Sequence, residues 1–250
     1  MSGYNAFAEV YDKLTNNIEY KKRADYVSTL FDRYGVRGKE PILDLACGTG
    51  SLTIELAKLG YDMIGVDSAY AMLSQAQNKK YEENVDVLFL CQDMTELDLY
   101  GTISGAVCML DSLNHLDSAE DVKRTIEKVG LFMEHGGIFI FDVNTIYKHR
   151  EILGNNTFVY DCDDVYCVWQ NSLNDDDSVD ISLDIFERKD GAYYRSGEEF
   201  SERAYPIGQY KKWLGDAGFE LLHIYDEMSD RELNDRTQRA VFVARYKNRR

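Results

Sequence analysis

The chain lacks most of the features that would place it in a membrane or outside a cell. No stretch approaches the roughly 18 consecutive apolar residues that a membrane span needs. The opening residues Met1-Ser2-Gly3-Tyr4-Asn5 hold neither a basic region nor an apolar run, so no signal peptide is expected. The five cysteines, Cys47, Cys91, Cys108, Cys162 and Cys167, form no CxxC pair. Without a histidine cluster beside Cys162 and Cys167, no metal site is expected. Free thiols acting as small hydrophobes suit a reducing compartment, so the expected location is cytoplasmic. Positive charge is also scarce: 28 Lys and Arg against 44 Asp and Glu give a formal net charge of -16. A surface this acidic repels phosphate backbones and anionic lipid, which disfavours generic nucleic-acid and membrane partners. No GxxxxGK[ST] loop occurs and no lysine follows the main glycine turn, which argues against ATP or GTP.

What the chain does have is the segment Glu40-Pro41-Ile42-Leu43-Asp44-Leu45-Ala46-Cys47-Gly48-Thr49-Gly50-Ser51. Ile42, Leu43 and Leu45 supply a short buried strand. Gly48 and Gly50 let the backbone turn tightly and approach a ligand. Thr49 or Ser51 is placed to cap the helix that continues from Leu52 to Lys58. A second strand ends in Asp67, 17 residues past Gly50, near the roughly 20-residue offset at which an acid receives ribose hydroxyls. A third runs from Val85 to Asp93. NAD competes for such a fold, but Asp44 at the strand end would repel a pyrophosphate. The same acid suits a cofactor that carries an ammonium and a sulfonium, and so favours S-adenosylmethionine.

At 250 residues the chain is long enough for one large domain, or for a domain with an insert. Residues 1–37 read as helices, a helical lid, with Tyr26, Val27, Leu30 and Phe31 at helical spacing and Gly35 as the stop. From 38 to 150 strands and helices alternate, predicting an α/β core with a mostly parallel sheet covered on both faces. Its segments are 41–46, 51–59, 62–67, 69–81, 86–91, 103–109, 118–134 and 137–142, with Ser118 as an N-cap. Residues 151–205 turn β-rich, and the turn signals Asn174–Asp177 and Lys189–Gly191 predict a three- or four-stranded antiparallel insert. Residues 155–205 hold 13 acidic and 4 basic side chains, so one face must be wet. The other is expected to carry Val168, Ile181, Leu183, Ile185 and Phe200. Residues 206–250 supply a helix ending near Gly218 and a terminal pair of strands, 220–226 and 239–246.

Taken together, Asp44-Leu45-Ala46-Cys47-Gly48-Thr49-Gly50, then Asp67 with Ser68 and Met72, then Gln92-Asp93-Met94, resemble the class I S-adenosylmethionine-dependent methyltransferases. The branch they look most like contains small-molecule N- and O-methyltransferases, including those acting on amino sugars and small amines, and nothing in these motifs specifies the methyl acceptor. The likeness covers about residues 38–145. It implies a Rossmann-like, doubly wound seven-stranded sheet with an antiparallel terminal strand. It further implies that Asp44 and the backbone at Ala46, Gly48 and Gly50 line the methionine half of the cofactor. Asp67 would take both ribose hydroxyls, with Ser68 and Met72 bordering ribose and adenine. Asp93 would accept from the adenine amino group beside the Met94 amide, and Leu110 would close over the sulfonium end. Ala46 departs from the family's G-x-G-x-G, but a small residue still permits close approach. The pattern Tyr4–Asp12 is similar to the family's helical lid, by which Tyr11 and Tyr20 would touch the cofactor or the acceptor. The partner implied is a small-molecule methyl acceptor, with the protein a monomer or homodimer. An RNA- or protein-modifying enzyme, and a non-catalytic cofactor-binding protein, are the alternatives.

Methyl transfer from a sulfonium needs alignment and exclusion of water more than it needs a strong catalyst. Groups facing the acceptor are expected after the fourth and fifth strands. Met109–Leu116 packs Asp111, Ser112, Asn114 and His115 into one turn, with His115 as a candidate general base. Phe141–Thr145 offers Asp142 and Asn144. In both segments the same residues would also serve as turn-formers. In the insert Trp169, Tyr193, Tyr194 and Tyr205 offer apolar surface with polar tips. Arg195 and Arg203 either meet an acceptor anion or neutralise neighbouring acids.

Overall fold

The computed structural model describes residues 11–15, 18–36, 41–162 and 164–248. The strands are β1 Ile42–Leu45, β2 Met63–Asp67, β3 Val87–Cys91, β4 Ile103–Cys108, β5 Met133–Asn144, β6 Thr157–Cys162, β7 Val165–Leu173, β8 Ser178–Lys189, β9 Ala192–Arg203, β10 Phe219–Asp226 and β11 Arg239–Tyr246. The longer helices are α1 Tyr20–Tyr34, α2 Ser51–Lys58, α3 Tyr70–Glu82, α4 Ala119–Phe132 and α5 Ile207–Asp216. Each expected core element is therefore present, its ends shifted by a residue or two except at β5, which begins directly after α4.

Seven strands form one sheet in the order β10-β11-β5-β4-β1-β2-β3. The pairs from β3 across to β5 are parallel, and β11 is antiparallel to both β5 and β10. Alternation along the strands sends Leu43, Leu45 and Phe141 to one face, beneath α4 and α5. Ile42, Val107 and Ile140 go to the other, beneath α1, α2 and α3. Helix α1 shows how such a face is written in sequence. Ala24, Val27, Leu30 and Phe31 are buried at helical spacing, each of the three larger side chains contributing about 1.5–3 kcal/mol. Gly35, at φ 89°, then ends the helix in the left-handed region, as glycine does without strain.

The order reverses at β1, whose neighbours are β2 and β4. The loops after β1 and β4 therefore part and leave a crevice at the C-terminal edge, where ligands of open α/β sheets bind.

Strands β6 to β9 form a four-stranded antiparallel sheet. The stretch expected as a single segment from 157 to 170 is two strands, β6 and β7, paired from Cys162 opposite Val165. Its inner face differs from expectation at one position. Trp169 pairs with Leu183, and Cys167 with the buried Ile185. Val168 has the opposite parity and pairs with the exposed Val159, because a strand turns successive side chains to opposite faces. The short π-helix Lys148–Leu153 leads from β5 into this sheet. His149 and Arg150 there bond the carbonyl and carboxylate of Asp177 in the β7–β8 turn.

Candidate active site

A cavity of about 440 Å³ opens in the crevice, between the β1 and β4 loops. Its floor is the turn after β1, where Ala46, Gly48 and Gly50 have φ of 58°, 55° and 73°. Left-handed backbone at Ala46 explains why glycine is the easier residue there. Asp44 lies at the base, only 2 % exposed, and accepts a 2.5 Å hydrogen bond from Thr53. Burial pushes its carboxyl up to about 7 despite that bond, with the negative Asp67 adding to the effect. Asp67, at the end of β2, accepts N–H bonds from Gly48 and Ala69, both 2.8 Å. Asp67 thus pins the glycine turn and also lines the cavity, with acceptor capacity on both oxygens beyond these two bonds. Asp93, at the end of β3, accepts from the backbone and hydroxyl of Thr95.

Of the expected cofactor contacts, Tyr11, Tyr20, Asp44, Ala46, Gly48 and Asp67 line this cavity, as do Ser68, Met72, Asp93, Met94 and Leu110. Gly50 does not. It heads α2 with its Cα against Ala76 and Phe89, where an added Cβ would approach each to 2.9 Å. Its place is in the packing behind the turn. Thr49 and Ser51 do not cap α2. Thr49 donates to Asp12 at 2.8 Å, and Lys79 reaches both hydroxyls and the Asp12 carboxylate. These contacts latch the helical residues 11–14 onto the glycine turn. Tyr4 and Phe7, the earlier part of the expected lid pattern, lie outside the described residues.

A second cavity, about 350 Å³, adjoins the first. Tyr11, Leu110 and His115 line both. Leu110 and Asp111 are consecutive non-glycine residues in the left-handed region, with φ of 61° and 54°. Backbone of this kind costs about 1 kcal/mol or more per residue and persists only where its surroundings enforce it. The enforcement comes from Asp142. Its Oδ1 accepts the Asp111 N–H at 2.6 Å and an Arg239 N–H at 2.9 Å. Its Oδ2 meets Arg23 of α1 at 3.5 Å. Arg239 also reaches Asp111 at 2.7 Å. Burial works to raise the Asp111 carboxyl, but Arg239, Lys148 and His115 outweigh it and hold it well below the usual range. Asn144 donates to both Asp111 and Glu202 and accepts from Lys148 at 2.8 Å.

The three residues singled out for chemistry therefore occupy different places. His115 stands at the junction of the cavities, its ring 5.2 Å from that of Phe200 and its Nε2 3.9 Å from Glu202. Asp111 lines the second cavity but is already bound by Arg239 and Asn144. Asp142 is 0 % exposed and lines neither. It sits beneath the turn, not across from an acceptor. Asp111, His115 and Glu202 also bring ligand atoms within 4.8 Å of one another. Both Asp111 oxygens already serve cationic or amide donors, so the group reads as part of an ion network.

Sequence reasoning missed Arg23, Lys148, Glu202 and Arg239. The one available signal was an arginine opening the apolar strand Ala240–Ala244, where a charge needs a buried partner. In the insert, Trp169 lines the second cavity, whereas Tyr193 and Tyr194 are exposed and Tyr205 packs on Trp213. Arg195 pairs with Asp184, and Arg203 with Asp176. Both arginines neutralise neighbours.

The first cavity fits S-adenosylmethionine by its donor set. Five aspartates, Asp44, Asp67, Asp93, Asp117 and Asp121, are among its described lining residues, and no lysine or arginine is. Such a wall opposes a pyrophosphate and accommodates a cationic cofactor. Comparison with known proteins agrees. Residues 42–137 match the family model described as a methyltransferase domain. A protein of Geobacillus sp. (strain WCH70), named a putative methyltransferase, is 34% identical over 244 residues, spanning 97% of this chain and 99% of its own. The crystal structure of an S-adenosylmethionine-dependent methyltransferase from Clostridium acetobutylicum ATCC 824 superposes with a TM-score of 0.89 at 34% identity, covering 98% of this chain and 99% of that one. A glycine/sarcosine N-methyltransferase of Parasynechococcus marenigrum (strain WH8102) is 25% identical over 226 residues, 86% of this chain and 75% of its own. The fold and site define a Rossmann-like methyltransferase. The chain belongs to the S-adenosylmethionine-dependent methyltransferases and is an enzyme of that class.

Proposed function

We propose that the protein transfers the methyl group of S-adenosylmethionine to a nitrogen or oxygen of a small molecule held in the second cavity. The observation that carries this reading is the adjoining pair of cavities, one acidic and nucleoside-sized, the other about 350 Å³ and walled by the insert. A space of that size suits a small ligand. The net charge of -16 opposes a polyanionic substrate. The relative from Parasynechococcus, named for glycine and sarcosine, points the same way.

S-adenosylmethionine supplies a methyl group on a sulfonium whose sulfur is the leaving group. In this chain Asp44 and the backbone at Ala46 and Gly48 would hold its methionine half. Asp67 would take the ribose, and Ser68, Met72, Asp93 and Met94 the adenine. Tyr11 and Leu110 wall the passage between the cavities, with Tyr20 in the wall of the first, and would exclude water there. Tyr11 stays a neutral phenol, since burial pushes its ionisation well up. His115 is the group placed to take a proton from the acceptor at Nε2, with Glu202 at 3.9 Å to stabilise the imidazolium. Asp142 and Arg239 act through the turn that carries Leu110 and Asp111, as positioning residues.

Among the described residues no helix is long and apolar enough to cross a membrane. The five free cysteines support a reducing compartment, so the proposed location is cytoplasmic, and the proposed state monomer or homodimer. The experiment is incubation with methyl-labelled S-adenosylmethionine of a metabolite extract, tRNA and total protein, each separately. Label should enter the metabolite fraction. Label confined to tRNA or protein would overturn the small-molecule reading, and cofactor binding with no transfer would favour a non-catalytic protein.

A further inference from the structure

Among the described residues, charge in and behind the second cavity is almost entirely paired. Arg23, Lys148 and Arg239 stand against Asp111, Asp142 and Glu202, linked directly or through Asn144. One further carboxylate lines the same space. Glu198, on β9, lies on the inner face of the insert between Phe200 and Ser196, opposite Leu183. The side chain is half-buried; its Oε1 is shielded from solvent and has no hydrogen-bond partner among the described residues. Burial raises its carboxyl above the usual value. The two arginines of β9, Arg195 and Arg203, are held by Asp184 and Asp176, so neither serves it.

A shielded carboxylate oxygen without a donor is costly, and a ligand that brings a charged donor removes that cost. The surroundings select which donor. Trp169, Tyr160 and Phe200 line the cavity with Glu198, and the Tyr160 and Trp169 rings lie 6.2 Å apart. Aromatic faces attract cations. Among the described residues lining this cavity the cations are Lys148 and Arg239, both already paired, so neither is free to offset an anionic acceptor beside Glu198.

Resting on the methyl-transfer reading above, we infer that Glu198 and the aromatic face of the insert form an ammonium subsite, so that the acceptor binds as a cationic amine. Where that nitrogen is itself methylated, it first gives up a proton to His115, which leaves the lone pair that takes the methyl group as the sulfonium sulfur departs. This subsite selects acceptors by charge. It gives the insert a recognition role that the cofactor cavity does not supply.

The test uses the full chain and three probes of one shape: benzylammonium, benzyl alcohol and benzoate. Binding is read from the fluorescence of Trp169, with Trp213 buried in the core as a constant background. Benzylammonium should bind at least about tenfold tighter than benzyl alcohol, the scale of one charge-assisted hydrogen bond, and benzoate weakest. E198Q should bring benzylammonium to the level of the alcohol and leave the alcohol unchanged. D184N, which alters an acid paired with Arg195 on the exposed side, should keep the wild-type order. Equal affinities, a preference for benzoate, no saturable binding of any probe, or an unchanged order in E198Q would each overturn the subsite. The wild-type series stands even if a variant folds poorly. S-adenosylmethionine affinity is measured alongside by calorimetry. Its absence with the amine preference intact defeats the methyl-transfer reading alone. Its presence without that preference defeats the subsite alone.

Discussion

Replacing Asp142 by Asn tests whether the second cavity is held open by charge. The side chain is fully buried and answers three donors: Arg239 at 2.9 Å, Arg23 at 3.5 Å and the Asp111 N–H at 2.6 Å. The amide keeps the shape and one acceptor oxygen, but removes one negative charge from a set that balances three against three. Arg239 retains Asp111 at 2.7 Å. Among the described residues Arg23 has no second acid in contact, and its Nε already lacks a partner, so the loss falls on α1. Breaking a buried pair from one side costs about 3–5 kcal/mol. Because the Asp142–Arg23 contact is long, the lower end is expected, about 3 kcal/mol. The turn at Leu110 and Asp111 should also relax, since the D142N amide cannot accept from both Asp111 and Arg239 without turning its NH2 toward a donor. Urea unfolding should give the stability loss. Transfer should fall more than cofactor affinity, because the turn borders the acceptor side. A stability change below about 1 kcal/mol with normal transfer would refute the network's positioning role.

Asp44 sets a pH dependence. With its carboxyl raised to about 7 in the folded protein against about 3.9 unfolded, the unfolded state ionises first. Stability from this group is therefore greatest below about pH 4 and is lost as pH rises toward 7. A cationic cofactor beside it favours the carboxylate. S-adenosylmethionine affinity should rise roughly tenfold from pH 6 to 8 with proton release, and D44N should flatten the profile; a flat wild-type calorimetric profile would remove Asp44 from the cofactor's charged end. G50A places a Cβ 2.9 Å from Ala76 and Phe89 at φ 73°, so thermal unfolding should show a loss of about 2–4 kcal/mol; an unchanged midpoint counts against the packing role. D67A deprives the Gly48 and Ala69 amides of their acceptor. It should cost about 1–3 kcal/mol of stability besides weakening cofactor binding, and weakened binding at full stability would show that the ribose contact alone matters.

The acidic lining of the first cavity was legible because Asp44, Asp67 and Asp93 each fall at or close to the end of a strand within a short local motif. They could be read from the apolar runs before them, and Gly35 and Ser118 marked helix ends that the structure keeps. The failures are as local. Thr49 and Ser51 have the right chemistry for caps, yet Asp12 and Lys79 compete for their hydroxyls from 37 and 28 residues away. Val168 falls on the face opposite to the expected one because 157–170 reads as one strand, and parity can be fixed only once the turn after Cys162 is known. The ion network was beyond reach for a different reason. Arg23 and Arg239 meet Asp142 across 119 and 97 residues, and Arg239 arrives only because β11 sets it opposite Asn144.

That difference in range has a consequence for function. The first cavity depends mainly on backbone turns and on one acid per strand end, so its chemistry is fixed by the core sheet. The second cavity is assembled from Tyr11, Leu14, Thr15 and Ile18, the segments after β4 and β5, Arg239 of β11 and the insert. No single segment determines it. Its permanent charges cancel among themselves, so they set shape and leave little net field for an incoming ligand. Among the described residues lining it, the groups free to respond to an acceptor are His115, at the junction, and Glu198, at the insert wall. Substitutions on the inner face of β9 should therefore change which molecule is methylated and leave cofactor binding intact, whereas substitutions in the Asp142 network should lower transfer to every acceptor alike.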